Sequence, residues 1–179
     1  MIVSFTGAQS TGKTTLLNSM RSWKELSNYK FIDEITRDVG RKGLKINEEG
    51  DDATQRAIMK AHCDNLEKGK NLILDRCSLD GVVYTHYLYL HDKVTKDTLD
   101  FAKSVFLRTF AEYDQVFYLK PEFDIVEDGV RSTDVQFRDE IVELFEEYID
   151  MYNLKKISVV ELTGSVEERL ETVKKAMNL

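Results

Sequence analysis

Proline is all but missing from this sequence: Pro121 stands alone among 179 residues. It follows a short apolar run and ends it, because proline has no N–H for a strand ladder. No linker composition, internal repeat or low-complexity segment interrupts the chain. Its length therefore reads as one domain, residues 1–179, able to bury a core of its own. Cysteine is equally sparse. Cys63 and Cys77 form no metal-type pair and read as reduced thiols of a cytoplasmic protein. His62, His86 and His91 show no ligand spacing and are expected to be structural. No apolar run approaches the length of a membrane helix. Met1 passes straight into a strand-like segment, which argues against a signal or transit peptide.

Charge excludes less. The net charge of −7 argues against a large electrostatic footprint for nucleic acid, without excluding a local basic groove. Hydrophobic content of 42% and charged content of 32% describe a soluble globular protein.

The informative part is Gly7-Ala8-Gln9-Ser10-Thr11-Gly12-Lys13-Thr14, a match to G-x-x-x-x-G-K-[ST]. Ile2–Thr6 before it reads as a strand, and Thr15–Met20 after it opens a helix. In that setting the glycines let backbone N–H groups curl around an anion, and the helix adds its positive N-terminal end. Lys13 is placed to reach the β- and γ-phosphates of a nucleotide. Thr14 is placed to sit on Mg²⁺, and Thr15 to help hold the α-phosphate region.

Short apolar segments alternate with helical patterns. Strands are expected at 2–5, 30–32, 71–74, 115–119 and 158–162. Helices are expected at 13–25, 53–68, 79–90, 96–112, 137–152 and 166–177. That order implies an α/β fold with a doubly wound, mostly parallel five-stranded sheet. Residues 42–52 read as an exposed loop. Residues 121–133, with Asp128-Gly129-Val130-Arg131, read as a long loop of the kind that forms lids.

Two further carboxylate clusters follow strands. Asn71–Asp75 is an apolar strand ending in a carboxylate, suited to orient the waters of a Mg²⁺ ion. Arg76 comes next, with a planar fork for anions, and Asp80 four residues later. Beyond the second strand lie Asp33, Glu34 and Arg37. A carboxylate there can take the proton of an attacking hydroxyl, and Arg37 can hold an acceptor. The pattern alone does not separate Asp33 from Glu34.

Together these sites resemble the small P-loop kinases, above all the family with nicotinamide-riboside kinase domains of the NadR type, also described as AAA-like. Phage nucleotide kinases, deoxynucleoside kinases and thymidylate kinases are similar. The shared marks are the phosphate loop, Glu34-Ile35-Thr36-Arg37 and Asp75-Arg76-Cys77-Ser78-Leu79-Asp80. The resemblance implies ATP and Mg²⁺ as cofactors and favours Glu34 as the base-like residue. It assigns Arg37, Arg76 and Asp80 to the acceptor and makes residues 121–138 a lid with Arg131 and Arg138. It also sets Thr163 and Gly164 beside the adenine. Gln55 matches a glutamine with which related kinases read the acceptor base, although a solvent-facing glutamine is the plainer reading.

The implied function is phosphoryl transfer from ATP to a nucleoside, nucleotide or nucleotide-like acceptor. The alternatives are a phage-type kinase acting on 5-hydroxymethyluracil in DNA and a nucleotide-sensing protein without transfer. No aromatic-and-basic stripe recommends a nucleic acid. No Asn-Lys-x-Asp motif supports a GTPase. Arg76, not a glutamate, follows Asp75, which disfavours a mechanical ATPase.

Overall fold

A computed structural model of the protein describes residues 1–41, 43–122 and 134–179, without the side chains of residues 37 and 38. Five strands form one sheet: β1 (Ile2–Thr6), β2 (Lys30–Ile32), β3 (Leu72–Asp75), β4 (Gln115–Leu119) and β5 (Val159–Leu162). Their order is β2-β3-β1-β4-β5, and every pairing is parallel. The helices are α1 (Lys13–Met20), α2 (Ile35–Arg41), α3 (Asp52–Leu66), α4 (Ser78–Leu90), α5 (Lys96–Thr109), α6 (Val135–Met151) and α7 (Val166–Met177).

Strand alternation divides the core into two. On one face, Val3 and Phe5 of β1, Ile73 of β3 and Phe117 and Leu119 of β4 pack with Leu16, Met20 and Val173 of α1 and α7. On the other, Leu72 and Leu74 of β3 and Val116 and Tyr118 of β4 pack with Val82, Phe106 and Phe145 of α4, α5 and α6. Sheets covered on both faces need strands that are apolar throughout, and β3 is buried at every position. The rings of Phe5 and Phe117 stack at 5.0 Å, tying β1 to β4.

The expected strands are present within a residue or two. Two helices end sooner than expected and give way to 3-10 turns, α1 before Lys24–Leu26 and α5 before Phe110–Glu112. Helix α2 was not foreseen. It has seven residues, and its signal is one apolar pair, Ile35 and Val39, which packs on Ile58 of α3. The loop expected at 42–52 to be exposed is instead partly buried and carries a 3-10 turn at Asn47–Glu49. Gly50 is buried there, and a Cβ at this position would stand 2.8 Å from Leu88 and 2.9 Å from Gln55 Nε2.

Candidate active site

The carboxyl ends of β1 and β3 lie side by side, with Phe5 in register with Asp75. Three residues of the phosphate loop have positive φ: Gly7 at 137°, Ser10 at 58° and Gly12 at 86°. Gly7 is irreplaceable on space alone, since a Cβ would fall 2.4 Å from the Leu119 carbonyl oxygen. Gly12 ends the loop in the left-handed region, and no side chain caps α1. The first N–H groups of that helix are thereby left to an anion.

Lys13 is 5% exposed. Its Nζ donates to the carbonyls of Gly7 at 2.8 Å and Ala8 at 2.6 Å and to Thr11 Oγ1 at 3.0 Å. Three acceptors call for an ammonium, while burial, followed by the charge of Arg76, lowers its pKa to about 7. The loop is thus stapled by the cation that a nucleotide would recruit. Around it Gln9 Nε2, Ser10 Oγ and Asp75 Oδ1 are buried without a hydrogen-bond partner. Such orphaned polar atoms fit a polar ligand.

Thr14 Oγ1 donates to Asp75 Oδ2 at 3.4 Å. Burial, then the charge of Glu34, raises the pKa of Asp75. A carboxylate held in that state is relieved by a cation. Among the described residues no cluster of three or more His, Cys, Asp or Glu side chains could hold a metal. The hydroxyl of Thr14 and the carboxylate of Asp75 are oxygen donors of the kind a hydrated Mg²⁺ ion accepts.

Arg76 joins this loop to a second cavity. It takes φ = 80°, a left-handed backbone that costs about 1–3 kcal/mol in a residue other than glycine. Its side chain holds it there. Nε donates to Glu34 Oε1 at 2.7 Å, and Nη1 to Asp80 Oδ1 at 3.0 Å and to the Gly7 carbonyl at 3.2 Å. The guanidinium lies 5.3 Å from the centre of the Tyr84 ring, and Tyr84 Oη donates to Gln9 Oε1 at 3.3 Å. Burial opposes the charge, but Glu34 and its other neighbours hold the Arg76 pKa well above its ordinary value. Asp80 accepts from Thr6 Oγ1 at 2.6 Å and from the Cys77 amide at 2.9 Å, so its carboxylate braces β1 and the start of α4.

Beside this network lies a narrow cavity of about 30 Å³ that opens to solvent at its mouth. Glu34, Thr36, Asn47, Gln55, Ile58, His62, Arg76, Asp80, Gly81 and Tyr84 line it. It lies beyond the carboxyl ends of β2 and β3, between α3 and α4. The structure separates the two carboxylates that the sequence could not. Asp33 is exposed and paired with Arg21, whereas Glu34 is buried and faces the cavity.

A family model described as AAA domain matches residues 2–169. The chain belongs to the AAA domain family. Curated protein sequences contain no match. Among solved structures, deoxyadenosine kinase from M. mycoides superposes with a TM-score of 0.76 at 16% identity, covering 99% of this chain and 98% of that one. The NadR protein in complex with NR gives 0.77 at 20% identity; 99% of this chain spans 52% of NadR. Thymidylate kinase from Candida albicans gives 0.66 at 14% identity, over 99% and 90% of the two chains. The fold is that of the small P-loop nucleoside and nucleotide kinases.

On this AAA-domain frame the remaining expected residues are distributed unevenly. Gln55 does not face solvent: it is 3% exposed, and its Oε1 accepts from Thr85 Oγ1 at 3.1 Å. A polar residue in the first turn of α3 reads as solvated until Gly50 and α4 are known to close over it. Arg37 lies on α2, with its side chain outside the described residues. Arg131 and most of the expected lid also fall outside them. Arg138 sits in the first turn of α6, its Nε 3.5 Å from Asp139 Oδ1. Thr15 and Thr163 are exposed, and Gly164 turns the chain after β5 with φ = 83°.

Two contributors, Tyr84 and His62, escaped the sequence, and a third, Arg169, entered only through its resemblance to a turn bordering the adenine. Tyr84 links the cavity to the phosphate loop, and nothing in α4 distinguishes it from a core aromatic. His62, expected to be structural, lines the cavity; its spacing from Gln55 and Ile58, seven and four residues along one helix face, was the available signal. Arg169, 1% exposed, donates to the carbonyls of Thr11 at 2.8 Å and Gly164 at 3.0 Å and to Glu122 at 2.8 Å. It binds the phosphate loop to the turn after β5.

Proposed function

We propose that the protein is a kinase that transfers the γ-phosphoryl group of ATP to a hydroxyl of a nucleoside-like small molecule. The observation that carries this is the Glu34–Arg76 pair. It lines a cavity at the carboxyl end of the sheet, and Arg76 donates to Gly7 in the phosphate loop. Acceptor and donor sites thus share one side chain.

The division of labour follows from charge and position. The loop amides and Lys13 bind the triphosphate and offset charge that builds up during transfer. Thr14 and Asp75 would hold Mg²⁺, which would supply positive charge against the phosphate oxygens. Glu34 accepts a hydrogen bond from the attacking hydroxyl and takes its proton. Arg76 holds Glu34 in place through its Nε.

The same pair favours a hydroxyl over a monophosphate acceptor. Among the described lining residues Arg76 is the one strong cation, and it already faces the carboxylates of Glu34 and Asp80. Among the described lining residues a phosphate dianion would meet two carboxylates and a single guanidinium.

The test is an acceptor screen with labelled ATP over nucleosides, nucleoside monophosphates and DNA containing 5-hydroxymethyluracil. Mg²⁺-dependent transfer to a nucleoside supports the reading. Transfer only to monophosphates or DNA overturns the choice of acceptor, and ATP binding without any transfer overturns the kinase.

A further inference from the structure

Tyr84 touches both halves of the site. Its ring lines the cavity, with the Arg76 guanidinium 5.3 Å from the ring centre. Its hydroxyl reaches past the cavity wall to Gln9 Oε1 in the phosphate loop, 3.3 Å away. Gln9 is 3% exposed, and its Nε2 has no hydrogen-bond partner among the described residues. Among those residues the Tyr84 hydroxyl is therefore the one hydrogen-bonding group that fixes the Gln9 side chain.

Each ligand has to disturb that contact. The cavity of about 30 Å³ has room for a few waters, whereas small-molecule sites run to roughly 300 Å³ or more. An acceptor therefore enters only as the lining gives way. Glu34, Arg76 and Asp80 are locked together by ion pairs, and Gln55 is held by Thr85. Tyr84 is the large lining side chain with the weakest hold. Its edge-on contacts with Phe137 at 6.0 Å and Phe145 at 6.5 Å tolerate a small shift, but a hydrogen bond already 3.3 Å long does not. On the loop side, Lys13 Nζ is engaged by the carbonyls of Gly7 and Ala8. A nucleotide draws it off these carbonyls, and the backbone beside Gln9 shifts as it leaves.

We infer that Tyr84 is a positioning residue that couples the two sites. Its contact with Gln9 opposes both ligands, so the first to bind breaks it and the second then binds more tightly. The inference rests on reading this cavity as the acceptor site. Because coupling between binding free energies is reciprocal, acceptor and nucleotide should strengthen each other by the same factor. One neutral hydrogen bond sets the scale, about three- to tenfold. The coupling needs no contact between the Tyr84 hydroxyl and either the phosphates or the reacting hydroxyl.

The experiment measures by calorimetry the affinity for AMP-PNP with Mg²⁺, with and without saturating nucleoside, and then the reverse titration. The probes are deoxyadenosine, deoxyguanosine, deoxycytidine and thymidine, the tightest binder being carried forward. Wild type is compared with Tyr84→Phe and Gln9→Leu, which remove the contact from opposite sides. Tyr84→Phe keeps the ring and its place beside Arg76. Wild type should show coupling of about three- to tenfold in both directions. In each variant the factor should fall to about one, and either variant decides if the other does not fold. Tyr84→Phe should also bind each ligand alone at least as tightly as wild type. A purely structural role would instead weaken single-ligand binding and leave the coupling factor unchanged, and that result overturns the assignment. So does a wild type without coupling. If no nucleoside binds, the acceptor reading falls and takes the inference with it. Coupling that is lost in the variants, without phosphoryl transfer from ATP in a parallel assay, upholds the inference and sinks the kinase reading instead.

Discussion

Arg76 Nε and Glu34 Oε1 meet at 2.7 Å between side chains that are each 8% exposed. A buried ion pair of this kind resists the loss of either partner more than it stabilises the fold, since the survivor is left charged in the interior. Arg76→Ala strands two carboxylates, Glu34 and Asp80, and is expected to cost about 3–5 kcal/mol of stability. Urea unfolding at pH 7 checks this. Glu34→Gln keeps the shape and a hydrogen bond to Arg76. It should lower turnover on the best nucleoside by about 10²–10⁴-fold with little change in ATP affinity. If turnover survives Glu34→Gln, Glu34 is not the base.

Asp75 should report on the metal through stability. Its folded pKa lies above the ordinary carboxylate value, through burial and then the charge of Glu34. Stability from a raised pKa is present below the unfolded value and lost as pH rises through the folded one. Asp75→Asn removes that loss. The metal-free variant should therefore be at least as stable as wild type at pH 7 and above. Adding Mg²⁺ with ADP should raise the melting temperature of wild type more than that of the variant. Equal metal responses in the two proteins would remove Asp75 from the metal site.

Lys13 couples nucleotide binding to protons. Burial places its pKa at about 7, and contact with a polyphosphate raises it again. Binding above pH 7 should therefore take up protons, and ATP affinity should weaken as pH rises from about 7. Calorimetry in two buffers of different ionisation enthalpy measures the uptake directly. Lys13→Ala should abolish it and lower turnover by about 10²-fold or more, because the charge that offsets the transferring phosphoryl group is gone. Equal uptake in the variant would assign the proton to another group.

His62 makes the fold sensitive to acid. Its pKa falls to about 4 from an ordinary 6.5 through burial. The stability tied to a depressed pKa is complete above the unfolded value, declines as pH falls from about 6.5 to 4, and is lost below that. The difference amounts to about 3 kcal/mol. A folded His62→Phe or His62→Gln variant should show a shallower decline than wild type over this window. Parallel stability curves would mean that the ring titrates alike in the folded and unfolded protein.

The fold was legible because its signals are local. Ile2–Thr6 followed by Gly7–Thr14 fixes strand, loop and helix by chemistry that few other structures need, and the apolar strands announce a sheet buried on both faces. Helix α2 escaped because one apolar pair in seven residues, with Gly40 among them, is too weak a period to see. The acceptor side escaped for another reason. Whether Gln55 and His62 are solvated or line a cavity depends on Gly50, Gly81 and Thr85, which the chain brings over them from elsewhere. Separating Asp33 from Glu34 likewise depended on Arg21 and Arg76 lying on opposite sides of the chain.

Arg169 gives the last prediction. Its guanidinium donates to Thr11 in the phosphate loop, to Gly164 after β5 and to Glu122 after β4, so one side chain sets three loops against each other. Glu122 Oε2 also accepts from the Gly164 amide at 2.8 Å, which closes the network. Arg169→Ala leaves two carbonyls and a carboxylate without this donor, at about 1–3 kcal/mol for each one that water does not reach. The expected outcome is a folded but weaker protein in which the loop carbonyl of Thr11 is no longer anchored, so that the KM for ATP rises about tenfold while acceptor KM changes little. Arg169→Lys keeps the charge but not the planar fork, and should recover stability less than half-way. Urea unfolding and steady-state kinetics on both variants check this together. If stability falls and the KM for ATP stays at the wild-type value, Arg169 supports the fold alone and the phosphate loop holds its shape without it.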